Sequence, residues 1–132
     1  MSVAATQRPA RLADILVVED DLGMREVLAM HLANAGYGVR IASDAIEGGR
    51  MLLDKRPDLL LLDVRMPHMG GDELLALIRG EDSLKDLKVI VLTVLRESAM
   101  NERIERMGVS AFLSKPVNKD QLLAAIAASL AG

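Results

Sequence analysis

Apolar residues gather into four short unbroken runs, Ile15–Val18, Leu59–Leu62, Val89–Leu92 and Ala111–Leu113. A weaker run at Val39–Ala42 follows the turn signal Gly36-Tyr37-Gly38. A strand with one wet face alternates apolar and polar residues, whereas a continuous run such as Leu59-Leu60-Leu61-Leu62 suits a parallel strand covered on both faces. Between the runs the period becomes helical. Met24, Val27, Leu28, His31, Leu32 and Ala35 share one helical face. Ala45, Gly49, Leu52 and Leu53 do so more weakly, because Gly48 and Gly49 each cost about 1 kcal/mol inside a helix. Leu74, Leu75 and Ile78 form a third face, Met100, Ile104 and Met107 a fourth, and Leu122, Leu123, Ile126 and Leu130 a fifth. Asp21 and Ser43 are the expected N-caps, and Gly36, Gly80 and Gly108 the expected left-handed helix ends.

Five strands alternating with five helices predict an α/β fold: a doubly wound, five-stranded parallel sheet with right-handed crossovers and helices on both faces. The smallest such arrangement is flavodoxin-like, with strand order 2-1-3-4-5, and it binds ligands outside the carboxyl ends of the strands at the switch point. At 132 residues the chain suits one domain. That domain is expected over 14–132, behind a flexible tail over 1–13 that carries Arg8 and Arg11 but no apolar signal-peptide centre.

Composition narrows the function. The chain is 51% hydrophobic but 2% aromatic, so the core must be aliphatic. With no cysteine, disulfides, thiolate metal sites and cysteine catalysis are excluded. A net charge of −3 and a pI near 5.4 speak against a nucleic-acid surface. No apolar stretch approaches the roughly 20 residues of a membrane span, and a cytoplasmic protein is expected.

The chemistry lies at the strand ends. The first run ends in Glu19-Asp20-Asp21, the third in Asp63, the fourth in Thr93 and the fifth in Ser114-Lys115-Pro116. Taken singly these are a helix N-terminus, a cap, a β-prone residue and a turn. The fold rule brings all four to one edge. Clustered carboxylates need a cation or a retained proton, and Mg²⁺ takes one or two carboxylates plus phosphate oxygens and waters. A carboxylate is also a covalent nucleophile toward phosphorus. Lys115 and the Thr93 hydroxyl suit the equatorial oxygens of a transferring phosphoryl group.

Ile15-Leu-Val-Val-Glu-Asp-Asp21, Leu60-Leu-Leu-Asp-Val-Arg-Met-Pro67, Val91-Leu-Thr93 and Phe112-Leu-Ser-Lys-Pro116 resemble, in order, the four signature segments of bacterial response-regulator receiver domains. The likeness runs from about Asp14 to the end. It implies that Asp63 is the phosphoacceptor and that Glu19, Asp20, Asp63 and the Arg65 backbone carbonyl hold Mg²⁺. It makes Thr93 the switch hydroxyl, Lys115 the phosphate-binding lysine and Phe112 the switch aromatic, and it implies a cis Lys115-Pro116 bond. The implied donor is a histidine kinase or histidine phosphotransfer protein. The implied reader is a partner or output domain docking on the fourth helix, fifth strand and fifth helix, and the resemblance also allows a homodimer on phosphorylation. The chain would catalyse only its own loading and slow unloading.

Two positions depart from the family pattern. Val94 stands where Ala, Ser or Gly is preferred, and Arg65 puts a long cation at the pocket rim. His31, on a helix face, and His68, in a loop, read as structural rather than as phosphorelay histidines. Three other classes are weighed. An FMN module needs a Gly/Ser/Thr cradle where Glu19-Asp20-Asp21 stands, and a haloacid-dehalogenase-type phosphatase needs Asp where Arg65 stands. The intact set Asp63, Thr93 and Lys115 opposes the third class, a pseudo-receiver binding scaffold that is not phosphorylated, while Val94 and Arg65 keep it as the alternative.

Overall fold

Every apolar run is a strand, lengthened by a single residue at one or both ends. The computed structural model describes residues 12–66, 68–94 and 99–132, so the tail expected over 1–13 falls almost wholly outside the described residues, as does Pro67. The strands are β1 (Asp14–Val18), β2 (Gly38–Ala42), β3 (Leu59–Asp63), β4 (Lys88–Thr93) and β5 (Ala111–Ser114). The helices are α1 (Leu22–Asn34), α2 (Ala45–Asp54), α3 (Gly71–Gly80), α4 (Ala99–Met107) and α5 (Lys119–Ala131). All strand pairs are parallel and the order is β2-β1-β3-β4-β5, as predicted.

The unbroken runs have a simple cause. Successive strand residues point to opposite faces, and here both faces are cores. Leu16, Val18, Leu60, Leu62, Val89 and Val91 pack under α2, α3 and α4 against Leu52, Leu74, Leu75, Ile78 and Ile104. Ile15, Val17, Leu59, Leu61, Ile90 and Leu92 pack on the other face against Leu28 and Leu32 of α1 and Leu122 and Ile126 of α5. Full burial of each such side chain contributes about 1.5–3 kcal/mol, so a polar residue within a central strand would be costly on either face.

Several local expectations are corrected. Asp44, not Ser43, caps α2 by accepting from Glu47 N, while Ser43 N and Oγ donate to Glu47 Oε1. Gly36 and Gly108 have left-handed backbone, but Gly80 does not: it is the last residue of α3, which closes on Glu81 in extended conformation. Val27 and Leu53 lie on the solvent side of α1 and α2, because one more residue of a 3.6-period face already turns away from the sheet. Gly48 earns its place in α2. A β-carbon there would stand 2.7 Å from Val18 Cγ2, so the glycine lets the helix sit close on β1. Among the described residues no helix is long and apolar enough to cross a membrane.

Candidate functional site

The parallel register aligns the carboxyl ends of β1, β3, β4 and β5, with Val18 beside Leu62, Asp63 beside Leu92 and Thr93 beside Ser114. The residues that follow Val18 and Ser114 therefore meet Asp63 across the switch point between β1 and β3. Glu19 N still bonds Ala42 O at 3.1 Å, so the first residue beyond β1 is placed by the sheet itself. Its carboxylate is fully buried, with Oε2 accepting from Asp21 N at 3.1 Å and Oε1 3.0 Å from Lys115 Nζ. Asp63 is 2% exposed; its Oδ1 accepts from Arg65 N at 3.2 Å and lies 3.2 Å from the same ammonium. Asp20 is exposed, yet Glu19, Asp20 and Asp63 each offer an oxygen within 4.8 Å of the others.

The other expected residues fall around this cluster. Lys115 N donates to Thr93 O at 3.0 Å, which ties the end of β5 to the end of β4, and the Lys115-Pro116 peptide is cis. Thr93 is buried at 5% exposure, and Arg65 and Val94 are exposed. Phe112 is half-buried against the core under α2, α3 and α4. Asp21 is not in the cluster; as expected it caps α1, accepting from Met24 N at 2.8 Å. His31 is half-buried on α1 and His68 is exposed, with a left-handed φ of 69° that histidine tolerates better than most residues.

Three features escaped the sequence reading. Gly71 opens α3 directly beneath Asp63: a β-carbon there would stand 2.9 Å from Val64 Cα and closer still to Asp63 O. Asp72, nearly buried at the start of α3, pairs with Arg103 of α4. Arg25 donates from Nη1 to Glu19 O at 2.9 Å and to Asp20 O at 3.4 Å. Only Arg25 left a sequence signal. A cation in the first turn of a helix opposes its dipole, and α1 has no acidic residue there to justify one.

Electrostatics set what the cluster can do. Burial pushes the Glu19 carboxyl up to about 7, with Asp63 adding repulsion and the Lys115 ammonium and Asp21 N–H offsetting only part. Burial pulls Lys115 down, but Glu19 and Asp63 outweigh it and hold the ammonium above its ordinary value. Glu19 and Asp63 share the one ammonium, and Asp20 adds a third carboxylate to the cluster. Glu19 Oε1, though ion-paired, receives no aligned hydrogen bond. Hard oxygen donors with excess negative charge and an open lone pair suit a small divalent cation such as Mg²⁺.

The chain matches the response regulator receiver domain family over residues 15–127. Response regulator MprA of Mycobacterium tuberculosis is 39% identical over 118 residues, 88% of this chain and 50% of that protein, and MprA of Mycobacterium leprae is 38% identical over the same span. The chain thus spans about half the length of these relatives. Among solved structures, chemotaxis protein CheY4 of Vibrio cholerae superposes with a TM-score of 0.84 at 28% identity, covering 89% of this chain and 98% of that one. The receiver domain of a signal transduction histidine kinase from Syntrophus aciditrophicus gives 0.84 at 32% identity, with 91% of each chain covered.

Proposed function

The chain belongs to the response regulator receiver domain family, and from that premise we propose that it is a phosphoryl-accepting switch whose modified residue is Asp63. The observation that carries the reading is the position of Asp63 Oδ1, 3.2 Å from Lys115 Nζ and clustered with Glu19 and Asp20 at the switch point. A carboxylate oxygen of Asp63 attacks phosphorus in line as the bond to the donor's leaving group breaks, and the leaving group departs with the bonding pair. The donor is a histidine kinase or phosphotransfer protein carrying a phosphohistidine. Glu19, Asp20, Asp63 and the Arg65 carbonyl are the residues that would hold Mg²⁺, which when bound neutralises charge on the phosphoryl oxygens.

Lys115 already sits on the Asp63 oxygen, so it needs only a small shift to pair with a phosphoryl oxygen, and the Thr93 hydroxyl hydrogen-bonds another. Among the described residues no histidine joins the cluster to activate water, which suits a product that lasts. Thr93 draws the start of α4 toward the site, and Phe112, half-buried beside the same core, follows. The altered α4–β5–α5 face is then read by a partner or output domain, or by a second copy as a homodimer. The chain turns over no substrate besides its own phosphoryl group.

Acetyl phosphate with Mg²⁺ should add one phosphoryl mass, labile to hydroxylamine, and Asp63→Asn should abolish it. An unmodified wild type under these conditions would instead support the pseudo-receiver scaffold. Labelling that persists in Asp63→Asn would move the acceptor elsewhere.

A further inference from the structure

We propose that Arg25 is a positioning residue of the metal site: by donating to the main-chain carbonyls of Glu19 and Asp20, its guanidinium holds the β1–α1 loop so that both carboxylates are preorganised for a divalent cation. The inference rests on the reading of Glu19, Asp20 and Asp63 as that cation's ligands.

The loop has a specific problem. Two adjacent carboxylates must be aimed at a third, Asp63, and all three repel until a cation arrives. Glu19 is restrained by the sheet through its N–H, by Asp21 N at Oε2 and by Lys115 at Oε1. Asp20 has far less. Its side chain is exposed, and Asp21 beyond it is committed to α1, whose first turn it caps and whose first backbone bond runs from Arg25 N to Asp21 O at 2.9 Å. The peptide units on either side of Asp20 bridge the end of β1 and the start of α1, and of their amide and carbonyl groups Asp21 N is held by Glu19 Oε2. Arg25, itself half-buried, donates to both units from Nη1, at 2.9 Å to Glu19 O and at 3.4 Å to Asp20 O.

Arg25 has no competing explanation in the fold. It makes no ion pair with a described carboxylate, and its charge opposes the dipole of its own helix. A solvated face would be better served by an acid at this position. The contacts it makes are charge-assisted bonds to two carbonyls, which are stronger than neutral ones and set direction as well as distance.

Charge and position predict opposite signs, which makes the role separable. A guanidinium beside the cluster repels Mg²⁺, so if charge alone mattered, Arg25→Ala would bind Mg²⁺ more tightly. If position matters, the loop loses its brace and must be ordered by the metal at the expense of affinity. Groups that orient metal ligands without touching the metal typically contribute 10–100-fold to affinity, and about tenfold is expected here.

Mg²⁺ binding to the full chain is measured by amide chemical shifts at a temperature where circular dichroism shows each variant folded, together with the metal-free melting midpoint. Arg25→Ala is expected to weaken Mg²⁺ about tenfold with the metal-free midpoint little changed, and Arg25→Lys, which keeps the charge and one donor, to recover part of the loss. Unchanged or tighter binding in the folded Arg25→Ala protein overturns the proposal. So does a loss in Arg25→Lys as large as in Arg25→Ala. Asp20→Asn is the control for the site itself: if it binds Mg²⁺ as wild type does, or wild type binds none, the ligand assignment fails and the role of Arg25 falls with it. Normal wild-type binding, lost in Asp20→Asn but kept in Arg25→Ala, sinks the role of Arg25 alone.

Discussion

Two helices that follow strands at the same edge of the sheet, α3 after β3 and α4 after β4, are secured by different means. At the β3–α3 junction, Gly71 lies against Asp63 and Val64, Gly71 N bonds Val64 O at 2.9 Å, and α3 buries Gly71, Asp72, Leu74, Leu75 and Ile78. Beyond β4, α4 buries a single residue, Ile104. Met100 and Met107 add half-buried apolar contact, and the rest is polar: Arg103 pairs with Asp72 at the middle of α4, and Arg79 donates to Met107 O and Gly108 O at its end. Apolar packing loses contact with any displacement, whereas exposed ion pairs exchange partners at little cost. Asp63, the proposed acceptor, thus precedes a helix held by close apolar packing, whereas Thr93 ends a strand whose next helix buries little and is held more by polar contacts. For a chain proposed to hold a phosphoryl group and report it, that division puts precision at the chemistry and pliancy at the readout.

The largest effect is expected at Gly71. Gly71→Ala must push a β-carbon into backbone on the rigid side, destabilising the protein by about 3 kcal/mol or more and impairing labelling of Asp63. Gly80→Ala, at the open end of the same helix, has nothing within 4 Å and should be neutral or stabilising by up to about 1 kcal/mol. Denaturant midpoints compare the two. If Gly71→Ala unfolds like Gly80→Ala, the junction is not rigid.

A second effect belongs to Glu19. With the folded carboxyl near 7 and an unperturbed value of 4.5, the metal-free native state binds the extra proton between those values. The associated stability is complete below about pH 4.5 and is lost as pH rises through about 7, on the order of 3 kcal/mol. Mg²⁺ competes with that proton, so it should raise the melting midpoint strongly at pH 8 and hardly at pH 5. A midpoint shift with Mg²⁺ that is the same at both values would contradict the raised carboxyl.

On the pliant side, Val94→Ala is expected to shorten the life of the aspartyl phosphate about tenfold, which requires only about 1.4 kcal/mol of barrier. Val94 is exposed at 53% beside Thr93, and its branched side chain is stiff at χ1; the expected shortening takes that side chain as an obstacle to attacking water. Dephosphorylation followed after complete loading, in excess Mg²⁺, decides the matter; decay no faster than wild type removes Val94 from the account. Asp72→Asn should have the smallest effect on global stability, about 1 kcal/mol or less, because Arg103 is 58% exposed. It should nevertheless speed amide exchange in Ala99–Met107 more than in Gly71–Gly80. Equal acceleration in both helices would mean that the ion pair does not restrain α4 in particular.

The sequence by itself determined the class of fold and which residues the sheet brings to one edge. Leu59–Leu62 could be read as a doubly covered strand because its chemistry is the same on both faces, and the end of each run marks where the sheet delivers a side chain. Glu19, Asp20, Asp63, Thr93 and Lys115 were legible because strand ends share an edge in any parallel sheet of this order. Tertiary structure decided what depends on distance between elements. Whether Ser43 or Asp44 capped α2 turned on which backbone took the extended conformation before it. Gly48 looked like a weakness until Val18 lay beneath it, and nothing in the sequence set Gly71 apart until it met Asp63. Periodicity reports which face of a helix is apolar, and a cap reports three or four residues around it. Neither reports that Arg25 will reach back to the carbonyls of Glu19 and Asp20, or that Arg103 will find Asp72, because those contacts exist only once separate segments have been packed side by side.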